Sequence, residues 1–176
     1  MSYFNNFPTV EVDVFGNGSR ILLTDIVRKV RFSDLAIQNN VQYDFYDVQD
    51  GETPEELAHY FFGDPLLHWI ILLSNNIKDR YEDWPMSIAQ FESYVTEKYA
   101  DVNGVHHYEI SQTSGDTTKT IEIPNDSANT IPVDAVTVTN YEYEENLQEQ
   151  KRKIRIVKSE YIKQIKQELK SRLRGN

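Results

Sequence analysis

The sequence predicts an α+β fold: a small β-α-α module, then a helix, a β-meander or hairpin region, and a C-terminal amphipathic helix. Three observations carry this. Between Tyr46 and Pro85 the chain holds two helix starts, a tight turn and a helix that is apolar nearly all round. Between Val105 and Tyr143, runs rich in Thr, Val, Ile and Tyr alternate with loops of Gly, Asp, Asn, Ser and Pro. Near the C terminus, Tyr161, Ile162, Ile165, Leu169 and Leu173 recur at helical spacing.

Taken in order, the first residues carry Tyr3, Phe4, Phe7 and Pro8, and then Val10, Val12 and Val14 alternate with Glu11 and Asp13. Alternation predicts a short half-buried strand or an extended arm, covered by this chain's own core or by a neighbour. Phe15-Gly16-Asn17-Gly18 is a turn, and Thr24–Val30 reads as a short helix. Val41–Val48 is extended, and Asp50-Gly51 turns the chain. Thr53, Pro54 and Glu56 form a capping box with proline at the first helical position. Gly63 ends that helix in the left-handed conformation, and Asp64-Pro65 starts a second, from Pro65 to about Ser74. Ser87 with Gln90 opens a third helix, on which Ile88, Phe91, Tyr94, Val95 and Tyr99 recur as a core face. His107–Ile110, Lys119–Ile123 and Val136–Tyr143 read as strands, with polar loops at Ser111–Thr118 and Pro124–Pro132. Residues 146–174 admit two readings, one long helix or a strand at Ile154–Val157 followed by a helix capped by Ser159. The break is preferred. The resulting organisation is an arm over 1–40, the module plus third helix over 41–100, the β region over 101–158 and the final helix over 159–176.

Composition excludes several classes. Cysteine is absent, so there is no disulfide framework, thiolate metal site or cysteine nucleophile. The amino terminus has neither the basic start nor the apolar run of a signal peptide, and no apolar stretch is long enough to span a membrane. The formal charge is −10, unevenly spread: Tyr141–Asn176 carries ten Lys/Arg against six Asp/Glu, a net of +4. An acidic body disfavours nucleic-acid binding. No carboxylate pair stands in an apolar setting, so no catalytic residue is expected. His106-His107 invites a metal, but adjacent strand residues point to opposite faces and no further ligand shows metal-site spacing. No metal and no cofactor are therefore expected. Ser114–Thr117 lacks the glycine spacing and lysine of a phosphate loop. Trp84 before Pro85 has two readings, an exposed contact residue or a lid folded back over the helices, the second being preferred.

The residues Tyr46, Val48, Asp50-Gly51-Glu52-Thr53, Leu57-Ala58, Tyr60, Gly63-Asp64 and Leu73-Ser74-Asn75-Asn76-Ile77 together resemble a LysM module. The likeness covers about a quarter of the chain. It implies a compact β-α-α-β fold of a family that commonly binds N-acetylglucosamine-containing glycans such as peptidoglycan. Where a LysM module closes with a proline-glycine turn and a second strand, this sequence reads DRYEDWP, from Asp79 to Pro85.

A wider likeness rests on Gly63-Asp64 followed by Trp69 and Asn75-Asn76-Ile77, on Asp83-Trp84-Pro85, and on Thr139-Asn140-Tyr141-Glu142. These resemble the LysM-containing baseplate wedge subunit of T-even-like tailed phages, the gene product fifty-three family, from Tyr43 onward with a gap at the polar loops. The resemblance implies a non-enzymatic virion protein of the contractile-tail baseplate, assembled in the host cytoplasm, that clamps other wedge proteins and neighbouring wedges. It implies no nucleic-acid or membrane partner; a glycan is the alternative ligand. By position, the partner-binding residues are Asp50, Gly51, Glu52 and Thr53 on one loop and Asn75, Asn76, Ile77 and Lys78 on the other, with Trp84 adjacent. The stripe of Tyr161, Ile162, Ile165, Leu169 and Leu173 is the second expected contact.

Overall fold

The computed structural model describes residues 3–28, 30–31, 42–112 and 120–174. Expectations placed on Val41, Lys119, Ser114–Thr117 and most of the loop at Ser111–Thr118 lie outside the described residues, as does the later part of the 1–40 arm. The strands are β1 (Thr9–Val12), β2 (Ile21–Thr24), β3 (Tyr43–Asp47), β4 (Val105–Ser111), β5 (Thr120–Pro124), β6 (Val136–Thr139) and β7 (Lys153–Val157). The helices are α1 (Pro54–Phe62), α2 (His68–Ser74), α3 (Arg80–Asp83), α4 (Ile88–Lys98), α5 (Asn140–Arg152) and α6 (Ile162–Arg174). This mixture is the expected α+β class. The chain forms two compact units, residues 1–84 with 153–176, and residues 85–152. The third helix, α4, thus belongs to the second unit, and the strand at Ile154–Val157 to the first.

In the first unit, β1 and β2 form an antiparallel hairpin with Thr9 opposite Thr24 and Val12 opposite Ile21. Its turn is tied by the Asp13 carboxylate, which accepts from the Gly18 amide at 2.8 Å and the Asn17 amide at 3.2 Å. Gly16 and Gly18 take φ of +66° and +82°, where a side chain would be strained. Among the described residues of Thr24–Val30, the expected helix does not form. Thr24 ends β2, the Asp25 amide donates to the Pro8 carbonyl at 2.8 Å, and Ile26-Val27 make a turn. Strand pairing wins because so short a helix cannot offset its own nucleation cost.

The helix starts follow their local signals. Thr53 and Glu56 form the reciprocal capping box, Pro54 opens α1, and Gly63 closes it at φ +73°. The Asp64 carboxylate accepts from the Leu66 amide at 2.9 Å and begins a 3₁₀ turn, Pro65–Leu67, that becomes α2 at His68. The second strand of this module comes from far along the chain: β3 pairs antiparallel with β7, Phe45 opposite Arg155 and Tyr46 opposite Ile154. The ladder runs on to Lys158, whose amide donates to the Gln42 carbonyl at 3.2 Å. Because the chain stays extended there, Lys158 and not Ser159 precedes the 3₁₀ turn Ser159–Tyr161 that leads into α6. Of the two readings of 146–174, the broken one holds. Ile154, Ile156, Leu57, Ala58, Ile70 and Ile71 form the core with Ile165, Leu169 and Leu173. Each buried aliphatic side chain contributes roughly 1.5–3 kcal/mol. Tyr3 packs against Trp69 with its ring tilted by 40° and Phe7 is buried, so these N-terminal aromatics pack on this unit's own core.

In the second unit a three-stranded antiparallel sheet has the order β5-β4-β6. The hairpin β4–β5 forms as expected, and β6 returns to the other edge of β4. The strand expected to run to Tyr143 stops at Thr139, because Thr139 is an N-cap. Its hydroxyl accepts from the Glu142 amide at 3.2 Å, and the Glu142 carboxylate accepts from the Thr139 amide at 2.8 Å. Ser87 and Gln90 make the matching box on α4. Helices α4 and α5 meet through Phe91 edge-on to Tyr141 and through Glu144, which is 2% exposed. Its carboxylate accepts from Lys98 Nζ and from the Tyr99 hydroxyl, each at 2.7 Å.

Candidate functional site

The two loops of the first unit, Asp50–Thr53 and Asn75–Lys78, are held by their own side chains. The Tyr46 hydroxyl donates to the Glu52 carboxylate at 2.9 Å, and the Gln49 amide donates to it at 2.8 Å. Gly51 sits at φ +76° to make the turn. Glu52 also presents its carbonyl to the Trp84 indole nitrogen at 2.9 Å. On the other loop, Asn75 donates through Nδ2 to the Arg155 carbonyl and accepts through Oδ1 from the Arg155 amide, both at 2.8 Å. This amide side chain imitates a strand residue and pins the end of α2 to β7. Asn76 turns the chain at φ +56°, and Lys78 is exposed.

Beside Ile77 and Lys78 lies an open pocket of about 340 Å³. It is lined by Tyr3, Phe4, Leu66, His68, Trp69, Leu72 and Leu73. Phe45, Tyr60 and Tyr81 are exposed aromatics on the same unit. A concave apolar site with a cation at its rim can seat an apolar side chain of another protein.

The remaining expected contact residues are placed differently. Trp84 is buried in the core and acts as the lid; as an exposed contact it is ruled out by its own burial. Ile162, Ile165, Leu169 and Leu173 are buried in the same core, and Tyr161 packs against it half-buried. Of the two places open to such a stripe, this chain's own meander or a partner's groove, it takes neither: it is covered by the core of the first unit, which leaves its apolar face no area for a partner.

In the second unit the histidines also depart from expectation. The register of β4 against β6 slips between Val105 and His107, leaving His106 as an extra residue. Such a bulge re-aims side chains, so the two adjacent rings meet and do not diverge. His106 Nδ1 lies 2.8 Å from His107 Nδ1, and His106 stacks on Tyr143 at 3.8 Å between centroids. Further candidate ligands lie nearby: His107, Glu109 and Glu122 bring potential donor atoms within 4.8 Å of one another. The His-Tyr-Glu spacing was a visible signal; the register that brings Glu122 opposite Glu109 was not.

Relatedness settles what this fold belongs to. The model of the family described as base plate wedge protein 53 matches residues 1–130. The chain belongs to the base plate wedge protein 53 family. The match begins at residue 1 and so includes the hairpin β1–β2, which the motif resemblance left out. Over 103 residues the chain is 27% identical to the baseplate wedge protein gp53 of Enterobacteria phage T4, a stretch that is 58% of this chain and 53% of that protein. The chain thus spans about half the length of the curated relative it matches.

Proposed function

We propose that this protein is a structural, non-enzymatic subunit of a phage tail baseplate wedge, located in the virion and holding other wedge proteins together. The observation that carries the reading is the family match over residues 1–130. The name of the T4 relative supports it. The order β3-α1-α2, with β7 supplying a second antiparallel strand, supports a LysM-like module whose closing strand comes from after the second unit.

We place the contact with wedge neighbours on the pocket beside Ile77 and Lys78 and on the exposed side of the Asp50–Thr53 loop. The glycan alternative has less behind it. Glu52 and Asn75, polar groups a sugar would need, already bond to Tyr46, Gln49 and Arg155. The test is incorporation of purified protein into wedge complexes, followed by sedimentation. Leu66→Arg and Lys78→Glu should each reduce incorporation with little change in unfolding temperature. Normal incorporation of both variants would sink the pocket assignment. Retention on purified peptidoglycan, released by chitin oligomers, would favour the sugar reading.

A further inference from the structure

Glu109 and Glu122 stand directly opposite each other across β4 and β5. Two like charges so paired destabilise a hairpin unless a cation lies between them. His107 precedes Glu109 by two residues, and its ring is buried at 6% exposure. His107 Nε2 faces Glu109 Oε1 at 3.3 Å, long for a hydrogen bond to a carboxylate. Two ligands each about 2.0–2.1 Å from a tetrahedral metal ion lie about 3.3–3.4 Å apart. The other ring nitrogen of His107 is engaged by His106, and His106 is fixed by its stack on Tyr143. An imidazole with one nitrogen held and the other aimed at carboxylates is the arrangement in which outer partners orient a metal ligand.

We propose that His107, Glu109 and Glu122 bind a divalent first-row transition metal, Zn²⁺ being the best fit. One imidazole and two carboxylates suit Zn²⁺, whereas Mg²⁺ and Ca²⁺ prefer oxygen donors alone. Glu122 is exposed, and its carboxylate already lies within 4.8 Å of the other two donors. The third ligand comes from β5, so the ion fastens β5 to β4, and one coordination position stays open to water. No part of this rests on the wedge assignment.

The test uses the full-length, untagged chain freed of metal by chelation and titrated calorimetrically with Zn²⁺. One equivalent should bind, and the unfolding temperature should rise with Zn²⁺ and fall back on adding chelator. Glu122→Gln should abolish both effects, and the metal-free unfolding temperature should hold or rise slightly, because the substitution removes the repulsion from Glu109. His106→Phe keeps the stack and removes the orienting nitrogen, so it should weaken binding about 10–100-fold. The proposal is overturned by no Zn²⁺ uptake, by unchanged uptake in Glu122→Gln, or by Mg²⁺ binding as tightly as Zn²⁺.

Discussion

Helices α5 and α6 are each 13 residues long, and they are anchored by opposite chemistry. The buried residues of α6 are Ile162, Ile165, Leu169 and Leu173. Those of α5 are Glu144 and Gln148. The Gln148 side-chain oxygen accepts from the Met86 amide at 3.0 Å, and Glu144 takes Lys98 and Tyr99. An apolar stripe is non-directional and indifferent to pH; a buried carboxylate depends on each partner being in place. The same contrast decides which helix periodicity can reveal. The stripe of α6 stands out in the sequence, while the inward residues of α5 are polar and leave no such stripe.

The largest test of this contrast is Leu169→Ala. It should cost the first unit about 2–5 kcal/mol, the usual range for a truncated core leucine, measured by urea unfolding. A loss near zero would mean that α6 docks by something other than its stripe. Next in size is Glu144→Ala, which should cost the second unit on the order of 2 kcal/mol by leaving the Tyr99 hydroxyl and Lys98 without their acceptor. Hydrogen exchange should show α5 loosened and α6 unaffected.

The acid response sharpens the comparison. Burial pushes the Glu144 carboxyl up, but the bonds from Lys98 and Tyr99 outweigh it and hold the group below its ordinary value of 4.5. The same pairing raises Lys98 above the usual lysine range. A carboxyl lowered in the folded state stabilises fully above its unfolded value and loses that contribution as pH falls through the folded one. Protection of α5 amides should therefore drop on acidification below about pH 4, with α6 holding its protection longer. Parallel loss in both helices would erase the distinction. Smaller still, Thr139→Ala should remove the cap of α5 at about 1 kcal/mol, with no counterpart in α6, whose preceding turn has no side-chain cap.

The smallest stability effect is expected in the hairpin β1–β2, where Leu22 is 65% exposed. Leu22→Ser should change stability by no more than about 0.5 kcal/mol. If the hairpin is covered by a wedge neighbour, the same variant should nonetheless reduce wedge incorporation. Here, as in α6, the sequence shows an apolar face that wants covering. In α6 the cover is this chain's own core; the hairpin's residues stay exposed on both faces.

Legibility followed range. The caps at Thr53–Glu56, Asp64–Leu66 and Ser87–Gln90, and the left-handed Gly63, are readable because each is an interaction between residues two to four apart, set by side-chain reach and backbone sterics. The cap at Thr139–Glu142 is equally local, but the β-rich residues before it suggest a strand that continues. What tertiary structure alone decided was the pairing of Phe45 with Arg155, the bulge at His106 that turns two histidines together, and the burial of the α6 stripe. Which distant strand or helix covers a given face depends on the sum of contacts over the whole core, and no short window of sequence contains that sum.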